Sequence, residues 1–240
     1  MIAAEDLIAE NVERVRERIG AAAARAGRRP DEIRLVAVSK GVDIERIAAA
    51  VEAGIGEIGE NYVQEAAPKV EALGSKVTWH LVGHLQTNKA RAAVSLFDII
   101  QTVDSAHLAQ ALSRRCEQAG RVMPVLIEVN TTSEASKFGI QPGQLRGLLE
   151  EIAPLPSIHV EGLMTVGRLG AGADEARRYF GPLASLAQEA RSWAIEGAEM
   201  RWLSMGMSDD FEAAIEEGAN IVRIGRAVFG PRNVPGQNQK

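Results

Sequence analysis

The stretch IRLVAVSKGVDIERIAAAVEAGIGEIGE, residues 33–60, contains the unit from which the whole chain is built. Its first residues, IRLVAVS (33–39), form a short β-branched run, and IGEIGE (55–60) opens a second. Between them Asp43 stands where an N-cap belongs, IERIAAAVEA carries helical periodicity, and Gly54 closes it. Strand, helix and strand in that order imply parallel pairing through a right-handed crossover. The alternation recurs in VTWHLVG (77–83), FDIIQTV (97–103), VMPVLIEVN (122–130), SIHVEGLMTV (157–166), EMRWLSMG (199–206) and NIVRIG (220–225). Asp104 and Ser105 likewise precede AHLAQALSRRCEQA, and Gly120 follows it. Eight units predict an α/β fold, a single (β/α)8 TIM barrel. The competitor, an open doubly wound sheet, usually has fewer strands and wants a glycine-rich turn after the first, where this chain has Ser39-Lys40-Gly41.

Ahead of the barrel, residues 1–27 read as an extra N-terminal amphipathic helix, with Leu7, Ile8, Val12, Val15 and Ile19 on one face and Gly27 and Pro30 after it. Residues 1–232 are expected to form one domain and 233–240 a disordered tail. At 240 residues a single core is large enough to bury roughly three quarters of the unfolded surface. With 46% hydrophobic and 25% charged residues, a net charge of -5 and no basic block, the chain offers no surface for nucleic acid or an acidic membrane. The single cysteine, Cys116, has no internal disulfide partner and falls on an apolar helix face, as a buried thiol in a reducing compartment would. No signal pattern opens the chain, and no apolar run approaches the roughly 18 to 20 residues needed to span a bilayer, so a cytoplasmic monomer is expected.

In a parallel barrel the reactive face lies at the carboxyl ends of the strands. Here those ends are polar: Lys40, Glu60-Asn61-Tyr62, His80 to His84, Asn130, Met164-Thr165, Ser204 to Ser208, Arg223 and Gly225. Lys40 follows Val36 and Val38 at period two, so it points inward at the mouth if they do. A partly buried lysine amine is readied for attack on a carbonyl, although a solvated lysine just past a strand remains the plain alternative. SMGMSDD and RIGRAVFG follow the last two strands, where phosphate sites of such barrels lie. There Gly206 and Gly225 permit close backbone approach, Ser204 and Ser208 offer hydroxyls, and a helix starting near Asp209 presents free N–H groups; plain turn chemistry is the alternative.

Arg223 shares inward parity with Ile221 and Gly225, where an unpaired charge is costly, so it meets either a ligand or a carboxylate such as Glu128. His80 and His84 lie in a strand and its turn with no companions at metal-ligand spacing, so no metal is expected and they read as pocket-lining or hydrogen-bonding groups, or for His80 as core. Trp79, Trp202 and Phe97 read as packing residues.

AVSK (37–40), GENYVQE (59–65), WHLVGHLQTNK (79–89), EVNTTSEASKFGI (128–140), EGLMTV (161–166), LSMGMSDD (203–210) and VRIGRAVFG (222–230) together resemble the pyridoxal phosphate (PLP) homeostasis protein family, the YggS/PROSC type. The matches run in order over almost the whole chain. The resemblance implies a barrel like the alanine racemase N-terminal domain and the fold-type III PLP enzymes. It implies pyridoxal 5'-phosphate as cofactor, bound as a Schiff base on Lys40, and a role in vitamin B6 homeostasis with no catalytic residue set. It further implies Arg223 at the pyridine nitrogen, Ser204, Ser208, Gly225 and Arg226 at the phosphate, and Asn61, His80 and Met164 along the ring. Lys137, after the fifth strand, would take part in PLP transfer, with PLP-requiring apoenzymes as partners. Relatives commonly place a proline a few residues after the lysine, where this chain reads Gly41-Val42-Asp43, which puts the shape of that loop in doubt.

Two other functions compete. A fold-type III racemase or decarboxylase would add a β-domain with a tyrosine base, whereas the chain ends about ten residues past its eighth unit and has only Tyr62 and Tyr179. A PLP-free scaffold would leave Lys40, Arg223 and the paired loops unexplained.

Overall fold

Arg34–Val38 (β1) is flanked by a parallel neighbour on each side: Ala37 pairs with Ile58 on one edge, and Val36 pairs with Arg223 on the other. The structure, a computed structural model, describes residues 4–132, 134, 136–168, 170 and 172–231. The strands that follow are Glu57–Glu60 (β2), Thr78–Leu81 (β3), Ile99–Val103 (β4), Met123–Glu128 (β5), Ile158–Met164 (β6), Ala198–Ser204 (β7) and Ile221–Ile224 (β8). They pair in sequence order and close β8 onto β1, the predicted (β/α)8 barrel. The residues read as a tail, 233–240, lie outside the described residues.

The helices in chain order are Ala4–Arg25 (α1), Ile44–Glu52 (α2), Val63–Leu73 (α3), Ala90–Leu96 (α4), Ala106–Ala119 (α5), Leu145–Ile152 (α6), Ala173–Ser192 (α7), Phe211–Glu216 (α8) and Arg226–Phe229 (α9). Their punctuation follows the sequence. Asp43 Oδ1 accepts from Arg46 N at 2.9 Å, Ser105 Oγ from Leu108 N at 3.3 Å, and Gly120 ends α5 in the left-handed region. Cys116 is buried in α5, and no described helix is long and apolar enough to cross a membrane.

The extra helix α1 lies against α2, α8 and α9, across the seam where β1 meets β8. Ile8, Val12, Val15 and Ile19 form its buried face, but Leu7, read as part of that face, is half exposed. Asn11 Nδ2 donates to Val228 O at 3.0 Å, and Arg18 forks onto Glu212 at 3.1 and 3.0 Å, fixing the helix over the seam.

Inside the barrel, Val36, Leu126, Met164 and Ile221 form an apolar layer. The inward row of β1 therefore runs through Val36 toward the mouth, and Lys40 continues it.

Candidate functional site

Lys40 stands one residue past a tightly held backbone. Ser39 is fully buried on the opposite side of β1; its carbonyl accepts from Lys69 Nζ at 2.8 Å and its hydroxyl donates to Glu60 Oε1 at 2.5 Å. Lys69 and Glu60 form a buried ion pair at 2.5 Å. Beyond Lys40 the chain turns through Gly41 at φ +69°, where a side chain would be strained, and Val42 N donates back to Ser39 O at 2.9 Å. Gly41 N donates to Glu65 Oε2 at 3.1 Å, and Asp43 then caps α2. This loop shape needs no proline. The amine of Lys40 lies 3.3 Å from Tyr62 Oη and 4.9 Å from the centre of that ring.

A cleft of about 180 Å³ opens beside it. Val38, Lys40, Asn61, Val82 and Val166 form one part of its wall; Ser208, Gly225 and Arg226 form another, with Arg223 also facing in. The turn after β7 passes through Gly206 at φ +93°, where a Cβ would come within 2.6 Å of Ala214 Cβ. Asp210 Oδ1 accepts from Met207 N at 2.5 Å, and the N–H groups of Asp210 and Phe211 both reach Met207 O. The helix expected near Asp209 thus starts at Phe211, after a turn in which the N–H groups of Met207, Asp210 and Phe211 are bonded within the turn itself. Ser208 Oγ accepts from Ala227 N at 3.2 Å, joining the two loops, and the Arg226 guanidinium pairs with Asp209. At the start of α9 the N–H groups of Val228 and Phe229 both donate to Gly225 O, at 3.0 and 2.9 Å, while Arg226 N has no acceptor among the described residues.

Arg223 is 4% exposed, and its hydrogen-bond acceptors are neutral: Ser204 Oγ at 2.7 Å and Thr165 O at 2.8 Å. Among the described residues it forms no salt bridge to Glu128. Burial lowers its pKa to about 10, against the opposing pull of Glu128 and Asp210, so it stays cationic at neutral pH. A chain of buried groups holds it from below: Ser204 Oγ donates to Gln101 Oε1 at 2.6 Å, and Gln101 Nε2 meets His80 Nδ1 at 2.8 Å. His80 Nε2 in turn lies 3.1 Å from Glu57 Oε2. Burial pushes the His80 pKa down, the main cause, so the ring stays neutral, with Nδ1 accepting from Gln101.

Three residues expected along the ligand lie instead beneath the cleft. His80, Met164 and Ser204 are each fully buried and reach no open space. Met164 and Ser204 end their strands and His80 stands one residue before the end of β3, but the cleft begins one layer higher, at Val38, Val82 and Val166. His80 and Ser204 are the support of Arg223; Met164 belongs to the apolar layer. Gln101 and Lys69 carry no motif, and sequence reasoning missed them; Glu60 and Thr165 were read as strand ends, but not as the partners of Lys69 and Arg223. Lys137 stands at the same mouth across Val166, its amine 3.1 Å from Gly167 O and 3.4 Å from Glu134 Oε1. Trp79 and Phe97 are buried as packing residues, and Trp202 lies under the Arg34 guanidinium at 4.7 Å.

The family model for the alanine racemase N-terminal domain matches residues 6–233. The pyridoxal phosphate homeostasis protein of Escherichia coli K12 is 40% identical over 230 residues, covering 94% of this chain and 97% of the relative. The chain belongs to the pyridoxal phosphate homeostasis protein family. The member from Aquifex aeolicus is 41% identical over 225 residues, 93% of this chain and 97% of that one. PipY of Synechococcus elongatus, solved with PLP bound, superposes with a TM-score of 0.81 at 36% identity, over 93% of this chain and all of that one. Alanine racemase from Corynebacterium glutamicum matches 97% of this chain with 62% of its own at 20% identity and a TM-score of 0.70, a likeness of fold alone.

Proposed function

We propose that this chain holds pyridoxal 5'-phosphate in the cleft at the barrel mouth, linked as a Schiff base to Lys40, and carries and regulates it in vitamin B6 homeostasis rather than turning over a substrate. The observation that carries the reading is that one cleft joins the Lys40 amine, the Arg223 guanidinium with neutral partners only, and the two joined loops of Ser208 and Arg226. These groups suit the three ends of the cofactor. Lys40 meets the aldehyde carbon, Arg223 donates to the ring nitrogen, and Ser208, Gly225 and Arg226 hold the phosphate, with Asn61 beside the ring. His80 and Ser204 serve by holding Arg223 in place.

When bound, the cofactor supplies an electrophilic carbon and a ring able to draw electrons from it. Arg223 limits the second property: a guanidinium does not give up its proton at neutral pH, so the ring nitrogen receives a hydrogen bond and stays unprotonated. The link to Lys40 remains reversible, and an incoming amine, from Lys137 or an apoenzyme, can displace it. In this reading the chain works as a cytoplasmic monomer that binds neither nucleic acid nor membrane and passes PLP to apoenzymes.

One observation favours the alternative, a racemase or decarboxylase: Tyr62 Oη, 3.3 Å from Lys40 Nζ, is placed to move a proton. The two readings part in one experiment. Loaded protein is mixed with a PLP-requiring apoenzyme, and regained activity is followed beside a chiral assay on free amino acids. Transfer without racemisation is expected; efficient racemisation lost in Lys40→Ala would establish the enzyme instead.

A further inference from the structure

A second cleft, of about 550 Å³, opens next to the first and shares Asn61, Val82 and Val166 with it. Tyr62, whose hydroxyl meets Lys40, stands in its wall, so whatever occupies this space lies beside the Lys40 amine. Its composition differs from that of a docking groove. Glu128 lines it while only 6% exposed, and the buried Oε2 of that carboxyl has no hydrogen-bond partner. A buried carboxyl without a partner costs free energy that a bound cation or donor returns. Lys89 also lines the cleft and forms no salt bridge among the described residues. The rest of the wall combines the Tyr62, His84 and Phe138 rings and several aliphatic side chains with the amides of Asn61, Gln64 and Gln86. His84 stacks on Phe138 with ring centres 3.7 Å apart and planes 9° apart, and is anchored at 3.4 Å to Asp104. Tyr62 and Phe138, two of the few large apolar side chains exposed on the described surface, both lie here.

A cleft with one carboxyl, one ammonium and a ring-lined apolar stretch of wall is complementary to a small zwitterion. We infer that it binds a free α-amino acid with an apolar side chain, its ammonium at Glu128, its carboxylate at Lys89 and its side chain against the Tyr62, His84 and Phe138 rings. A simple alkylamine or the lysine of a partner protein would use Glu128 and leave Lys89 idle; a carboxylic acid would do the reverse. The inference goes beyond the cofactor reading and is tested without it, on full-length protein freed of aldehyde cofactor with hydroxylamine, so that neither result depends on the other.

The test is calorimetric titration with L-leucine, 3-methylbutan-1-amine, which lacks the carboxylate, and 4-methylpentanoate, which lacks the ammonium. Leucine is expected to bind, and each truncated analogue to bind about tenfold more weakly or worse, since each loses a charge-assisted contact. Lys89→Met should weaken leucine about tenfold and leave the amine unchanged; Glu128→Gln should weaken leucine and leave the acid unchanged. The analogues act on unaltered protein, so the result does not depend on either variant folding. No leucine binding at millimolar concentration, an amine that binds as well as leucine, or variants whose effects do not separate by analogue would each overturn the assignment.

Discussion

The side-chain nitrogen of Lys69 lies 2.8 Å from the carbonyl oxygen of Ser39, the residue immediately before Lys40. The same nitrogen is paired with Glu60, which also accepts from Ser39 Oγ, so three buried polar groups clamp the backbone that leads into Lys40. Lys69 is therefore a positioning residue for Lys40. Lys69→Met should cost about 3 to 5 kcal/mol, because it leaves the Glu60 carboxylate buried and unpaired. The double variant with Glu60→Gln should recover most of that loss while still taking up PLP more slowly than the unaltered chain. Denaturant unfolding and the time course of cofactor absorbance measure the two effects separately; uptake restored along with stability would reduce Lys69 to a purely structural role.

Arg223→Lys keeps the charge but not the fork that reaches Ser204 Oγ and Thr165 O together. It should lower PLP affinity about tenfold and stability by roughly 1 to 3 kcal/mol, leaving one buried acceptor unmet. Equilibrium dialysis and urea unfolding are the measurements, and unchanged affinity would remove Arg223 from the cofactor's contacts.

Much of this was legible in the sequence. The parity of Val36, Val38 and Lys40 set the lysine at the mouth, and Asp43, Ser105 and Gly120 marked helix ends that the structure keeps. The sequence runs exceed the strands by one to three residues, because Ile33, Val77 and Phe97 flank their strands yet are buried. Periodicity reports burial, and burial continues past the last ladder hydrogen bond. Depth along the barrel was not legible. His80, Met164 and Ser204 have the same place in their runs as true rim residues, and only the stagger between strands sets them a layer below the cleft. The Lys69 clamp depends on which face of α3 turns toward β1, and Arg223 could be given its neutral partners only once Thr165 and Ser204 were in place.

Burial, aided by Asp104 and opposed by Arg223, raises the Glu128 carboxyl from an ordinary 4.5 to about 7. The folded state thus holds this proton more tightly than the unfolded chain does. Its stabilising contribution is complete below about pH 4.5 and is lost as pH rises through about 7, on the order of 3 kcal/mol in all. Glu128→Gln removes that dependence. Urea midpoints measured at pH 5 and pH 8 should move in favour of the variant at the higher pH, whereas parallel changes in both proteins would show that Glu128 is already ionised at pH 5.

Pyridoxal without its phosphate should bind far more weakly than PLP, since each charge-assisted contact from the loops of Ser208 and Arg226 contributes roughly 1.5 to 3 kcal/mol. Equal affinities in a titration would show that the anion end is misplaced.

The central claim rests on one bond, between the cofactor and Lys40 Nζ. Protein loaded with PLP is reduced with borohydride, digested, and the modified lysine located by mass spectrometry, in parallel with the visible spectra of the unaltered chain and of Lys40→Ala. The account predicts a single pyridoxyl label on Lys40 and, in the variant, loss of the absorbance with the fold retained, since a rim lysine adds little to the core. A label on Lys69 or Lys137 in its place, or an unchanged spectrum in Lys40→Ala, would contradict it.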